Sequence, residues 1–178
     1  MSDDDIRARA DERRRMLNEL ELERNQLIRN IETCRIRDIE RPFLGDWSLK
    51  DIVGHVASWE AEYVSALRDV RAGRRPGTDE LGAREESWNA EQVLLKRETR
   101  FWDVLQQLHM GRSALLESLA EFSDDELTDD AAEPSRLVRE LIAHDRRHWH
   151  EIAAKLAGLA GVRPVSPEQN EAATTTSS

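Results

Sequence analysis

The chain has 178 residues, enough for one domain with a proper core and too few for two comfortable ones. Its 26 basic and 36 acidic residues give a formal charge of -10, which argues against a nucleic-acid backbone as the main partner. A lone cysteine, Cys34, cannot close an internal disulfide, and neither a secretory signal nor a long apolar span is visible, so a reducing cytoplasm and no membrane contact are expected.

The acids Asp3, Asp4 and Asp5 suit a helix N-terminus. From about Ile6 to Cys34 the sequence lacks Gly and Pro, and Met16, Leu17, Leu20, Leu27, Ile28 and Ile31 form the apolar stripe of one long amphipathic helix. Its first two turns, rich in Arg and Asp, are expected to fray or project. Cys34, near its end, reads as a small core residue. The arginines of the chain are interleaved with acids and read as solvated faces with local ion pairs.

A loop from Arg37 to Trp47 carries Pro42 and Gly45. Ser48 and Asp51 then form a capping box, with Trp47 and Ile52 as a hydrophobic staple, and open a second helix that runs to about Ala72. Gly73 to Gly77 ends it, and a long polar loop to about Ser87 follows, of the kind that often covers a site. A third helix is predicted from about Trp88 to Phe122, on Leu94, Phe101, Trp102, Leu105, Leu108, Leu115 and Leu119, with Gly111 marking a bend. Ser123 to Glu126 is another capping box opening a short turn, and a fourth helix is expected from Ser135 to about Ala157. No strand-like alternation or internal repeat is convincing. The prediction is an all-α four-helix bundle over residues 1–161, with a mobile tail at 162–178 rich in Pro, Ser, Thr and Glu.

Three of the five histidines fall between Leu141 and Ile152. On a helix His144 and His148 stack on one face at the border of the Leu137, Leu141, Ile152, Leu156 stripe, while His150 looks at water. Two imidazoles one turn apart can share a metal ion. His55, two turns into the second helix, lies on the flank of its apolar face and can supply a third ligand if helices two and four are neighbours. Three imidazoles plus solvent is the donor set of a catalytic rather than a structural zinc site, although nickel, iron or manganese suits it too.

The run Trp47-Ser48-Leu49-Lys50-Asp51-Ile52-Val53-Gly54-His55-Val56-Ala57-Ser58-Trp59-Glu60 resembles the W-s-x-k-D-x-x-x-H-x-x-x-W-E signature of DinB-like four-helix bundles. His144-x-x-x-His148 resembles their late H-x-x-x-H segment, and the resemblance covers roughly Met16 to Leu156. Asn89 and the Phe122 to Leu127 turn also resemble that family, and Trp59-Glu60 with Asn89 resemble its genotoxin-protecting ClbS/DfsB branch. The resemblance implies an up-down-down-up bundle that is often a homodimer. It also implies a divalent metal, zinc or nickel foremost, held by His55, His144 and His148 with open positions. It points to a metal-dependent thiol transferase or hydrolase-like enzyme acting on a small electrophile, with a low-molecular-weight thiol as co-substrate and activated water or thiolate as nucleophile. The alternative is a ClbS/DfsB-like protein that binds or neutralises a small molecule without metal catalysis.

Trp59 and Arg112 are the candidate substrate-binding residues. Arg112 shares a stripe with Leu105, Leu108 and Leu119, and either lays its methylenes on the core and reaches a carboxylate, or offers a cation to an anionic substrate. His109 is expected as a packed, hydrogen-bonded residue. Asp51 is explained by its cap. Glu-x-x-His, H-E-x-x-H, a P-loop and a Rossmann fingerprint are absent.

Overall fold

The computed structural model describes residues 2–34 and 38–159; the expected tail at 162–178 lies outside them. The protein is all-α apart from one small hairpin. Its elements are α1 (Asp3–Thr33), β1 (Pro42–Leu44), β2 (Trp47–Ser48), α2 (Leu49–Arg71), α3 (Thr78–Gly82), α4 (Glu85–Arg97), α5 (Phe101–Leu119), α6 (Asp124–Thr128) and α7 (Glu133–Leu159).

The caps read from the sequence form. Ser48 and Asp51 exchange side-chain and backbone bonds at the start of α2, as do Ser123 and Glu126 at α6. Ser2 and Asp5 make a third box, and α1 is helical from Asp3. Arg13, three turns in, donates to the carbonyls of Leu119 and Phe122 and pairs with Asp124, while the turns before it are mostly exposed. At the far end of α2, Gly73 adopts φ +70°, and bonds from Gly73 to the Val70 carbonyl and from Arg74 to the Asp69 carbonyl complete a Schellman motif.

Three expectations are corrected. The loop before α2 contains the antiparallel β1–β2 pair. The connection after α2 is not a long loop, since it holds α3 and the start of α4. The predicted third helix is two, α4 and α5, broken at Glu98–Arg100 where Arg100 turns extended. Lys96-Arg97-Glu98-Thr99-Arg100 holds no apolar residue, so no core contact pins a continuous rod across it. Leu94 and Trp102 are therefore exposed rather than on a packed stripe, and His109 is exposed rather than packed.

The contacts set the helix directions. Glu19 and Glu23 of α1 pair with Arg146 of α7, and Asn30 reaches Trp149, so α1 and α7 run parallel. On α5, Leu119 and Leu108 accept from Arg13 and Arg24, so α1 and α5 are antiparallel. His55 and Trp59 of α2 meet His148 and His144 respectively, so α2 and α7 are antiparallel.

The apolar core is in two parts. One gathers Leu20, Leu67, Leu115, Leu119, Leu137 and Leu141; the other gathers Leu27, Ile52, Val53, Val56, Leu108 and Ile152. Between them in sequence on every long helix lies a charged residue: Arg24 on α1, Glu60 on α2, Arg112 on α5 and Asp145 on α7. A polar layer therefore crosses the middle of the molecule.

Candidate metal centre

In that layer the three predicted histidines meet. The capping box holds the first turn of α2, which sets His55 two turns in, flanked by the Trp47 ring at 5.1 Å and the Trp59 ring at 6.4 Å. On α7, His144 and His148 project from successive turns. His55 Nε2 lies 3.0 Å from His148 Nε2 and 3.1 Å from His144 Nε2. All three side chains are buried, His55 to 2% exposure.

A metal fits this donor set. One Nε2 proton on His55 makes one full hydrogen bond and leaves its second close nitrogen neighbour poorly satisfied, whereas a shared cation would serve all three. Ligand nitrogens around an ion with bonds of 2.0–2.1 Å stand about 3.3 Å apart in a tetrahedron and about 2.9 Å apart in an octahedron, close to the two spacings from His55, and all three ligand atoms lie within 4.8 Å of one another. His148 Nδ1 is 3.0 Å from Glu151 Oε2, the carboxylate partner that orients a ligating imidazole. His55 Nδ1 and His144 Nδ1 have no hydrogen-bond partner, and the nearest Asp145 oxygen is 3.9 Å from the latter. Those two rings are held by packing.

Burial, with the neighbouring histidines and Arg147 adding to it, pushes the His55 imidazole down to about 2. Burial and His144 likewise push His148 down to about 3. Both folded values lie below the unfolded 6.5, so the folded state binds fewer protons. Stability of the metal-free chain is then fully present above pH 6.5 and falls as the pH drops below it. At pH 5 each ring costs about 2 kcal/mol. Urea unfolding of the chelated protein at pH 7.5 and pH 5 is expected to show this as a lower midpoint in acid, and an unchanged midpoint contradicts it.

Beside the histidines the buried charges form a closed quartet. Arg24 Nη1 is 2.8 Å from Glu60 Oε2 and its Nε is 3.0 Å from Asp145 Oδ2. Arg112 Nε is 2.9 Å from Glu60 Oε1 and its Nη2 is 2.7 Å from Asp145 Oδ2. Burial would push Asp145 up, but the Arg24 guanidinium overrides it and holds the carboxyl well below the usual range. The expectation that the arginines line solvated faces fails for Arg24 and Arg112. Arg112 reaches carboxylates over the core, the first of its two alternatives.

Helix α5 is unbroken through Gly111. A Cβ there would lie 3.0 Å from Glu60 Oε2, so this glycine makes room for the quartet. Gly111→Ala should therefore lower stability, although Ala in a helix interior normally gains about 1 kcal/mol over Gly. A raised urea midpoint contradicts this.

Trp59 donates from Nε1 to Asn89 Oδ1 at 2.8 Å and packs on Trp88, tying α4 to the histidine layer. A cleft of about 240 Å³ opens on His144 and is lined by Trp59, Tyr63, Glu85, Glu140 and Arg147. Trp59 lines this cleft, and its cation is Arg147, whereas Arg112 is not among the lining residues. Arg24, Glu60, Asp145 and Arg147 were missed from sequence. The first three had a signal, because each interrupts an apolar stripe at a core position. His150 is exposed and stacks on Trp149, as expected, and Cys34 is half-buried against the second core cluster.

An all-α protein with a buried three-histidine cluster between two antiparallel helices is the class these features define. The family model of the DinB superfamily matches residues 25–152, and the chain belongs to that superfamily. No curated protein and no solved structure matches it. No helix among the described residues is long and apolar enough to cross a membrane.

Proposed function

We propose that this chain is a divalent-metal-dependent enzyme acting on a small electrophile, as a thiol transferase or a hydrolase-like catalyst. The convergence of His55, His144 and His148 Nε2 atoms beside an open cleft carries the proposal. These three residues would hold zinc or nickel, and the ion when bound would lower the pKa of a water or thiol and polarise the electrophile. Glu151 orients the His148 ring, and Trp47 and Trp59 keep the buried side of the layer dry. Trp59 and Tyr63 form the wall against which an apolar part of the substrate lies. The helix directions support an up-down-down-up bundle, and we extend the proposal to a cytoplasmic homodimer taking a low-molecular-weight thiol.

The test is metal loading followed by turnover. Purified without a His tag, the chain is expected to take up one zinc or nickel per protomer. Loaded protein should then accelerate thiol conjugation of 1-chloro-2,4-dinitrobenzene or hydrolysis of 4-nitrophenyl acetate, and lose that rate on chelation. A loaded chain inert to both reactions contradicts the catalytic proposal. The Trp59–Asn89 hydrogen bond favours a second possibility, ClbS/DfsB-like binding of a small molecule without metal catalysis, since it joins the residues on which that likeness rests. Protection that survives chelation would select it.

A further inference from the structure

The charges around the histidine cluster are unevenly committed. Glu140 is held by Arg136 at 2.6 Å, and Glu151 by His148. Glu85, in the first turn of α4 where an acid is favoured by the helix dipole, lines the same cleft and has no hydrogen-bond or ion-pair partner among the described residues. Arg24 and Arg112 are engaged by the buried carboxylates of Glu60 and Asp145. Arg147 is different from these two. It is exposed, it lines the cleft beside His144, and among the described residues its guanidinium has no hydrogen-bond or ion-pair partner. The acid one turn on, Glu151, is already engaged.

A divalent ion on three neutral imidazoles keeps its full charge, because no carboxylate or thiolate joins the set. An unpaired cation beside such a centre raises the local positive charge further. The arrangement is relieved by an anion that touches both. We infer that Arg147 is the anchor for a carboxylate-bearing small molecule whose other end reaches the three-histidine centre. A guanidinium suits this role because its planar fork matches a carboxylate in two bonds. A cleft of about 240 Å³ limits the ligand to a compact molecule. Trp59 and Tyr63 would contact the stem between its two ends. The inference rests on the metal-binding part of the proposed function and narrows its substrate class.

The full chain loaded with cobalt is titrated with 3-mercaptopropionate and with 3-mercapto-1-propanol, two thiols of equal length that differ in the terminal carboxylate. Binding is read from the sulfur-to-cobalt absorption band, with no turnover involved. The carboxylate thiol is expected to bind about tenfold tighter or more, the size of one charge-assisted hydrogen bond. Arg147→Gln should bring the two thiols to within about twofold while leaving cobalt uptake unchanged, and Arg147→Lys should keep part of the preference. Equal binding of both thiols by the wild type, or a preference that survives Arg147→Gln, overturns the inference and leaves the metal centre standing. A chain that takes up no cobalt overturns the metal centre and the inference with it.

Discussion

His55→Ala is expected to remain folded and to lose its metal. The remaining pair, His144 and His148, sits on one helix, and two imidazoles without the third leave a divalent ion bound as loosely as on any exposed i, i+4 pair. Even changes outside the ligand set cost 10–100-fold in metal affinity, so removal of a ligand should cost at least about 100-fold. Zinc titration by calorimetry, with a competing chelator for the wild type, measures the loss. Far-ultraviolet circular dichroism should be unchanged, since His55 is flanked by packed aromatic rings that stay in place. The same variant separates the two functional possibilities, because a protein that binds its small molecule without the metal would keep doing so. Zinc affinity of His55→Ala within a few-fold of wild type would remove the three-histidine site.

Asp145→Ala should be the most destabilising single change in the polar layer. It leaves two buried guanidiniums, Arg24 and Arg112, sharing the carboxylate of Glu60, with Glu21, 3.8 Å from Arg112, as the remaining acid in reach. Breaking a buried pair in this way costs about 3–5 kcal/mol, against 1 kcal/mol or less for an exposed one. Urea unfolding at pH 7.5 gives the difference directly. Asp145→Asn keeps the shape and loses the charge, and should fall nearly as far, which assigns the loss to electrostatics rather than to a cavity. A cost below about 1 kcal/mol would mean the layer is wetted and the quartet behaves as a surface network. The quartet joins α1, α2, α5 and α7, so its loss should also loosen the register that brings His55 to α7.

Much of this was legible along the chain. Apolar spacing of 3.6 marks α1, α2 and α7, and Ser48 with Asp51 marks the start of α2 to the residue. His55, His144 and His148 were picked out because their positions on two helix flanks, together with the surrounding signature, point to one seam. The break between α4 and α5 was not legible, because apolar residues on either side keep helical phase and only the polar run between them lacks a partner. His109 and Trp102 were misplaced for the same reason, since phase tells which side of a rod a residue occupies but not whether a neighbour covers it.

The charged quartet shows where the division falls. Helices, their caps, the apolar faces and the candidate ligands are written locally, since they follow from residue type and spacing within about one turn to a few turns of chain. The sequence also carried the anomaly of Arg24, Glu60, Arg112 and Asp145 standing at core positions on four separate stripes. That these four neutralise one another, that three imidazoles converge beside them, and that Arg147 is left facing an open cleft were decided only by tertiary structure. An ion pair between Arg24 and Asp145 spans 121 residues of chain, and no local preference encodes which distant charge a buried group will find. Only the packing of whole helices brings them together.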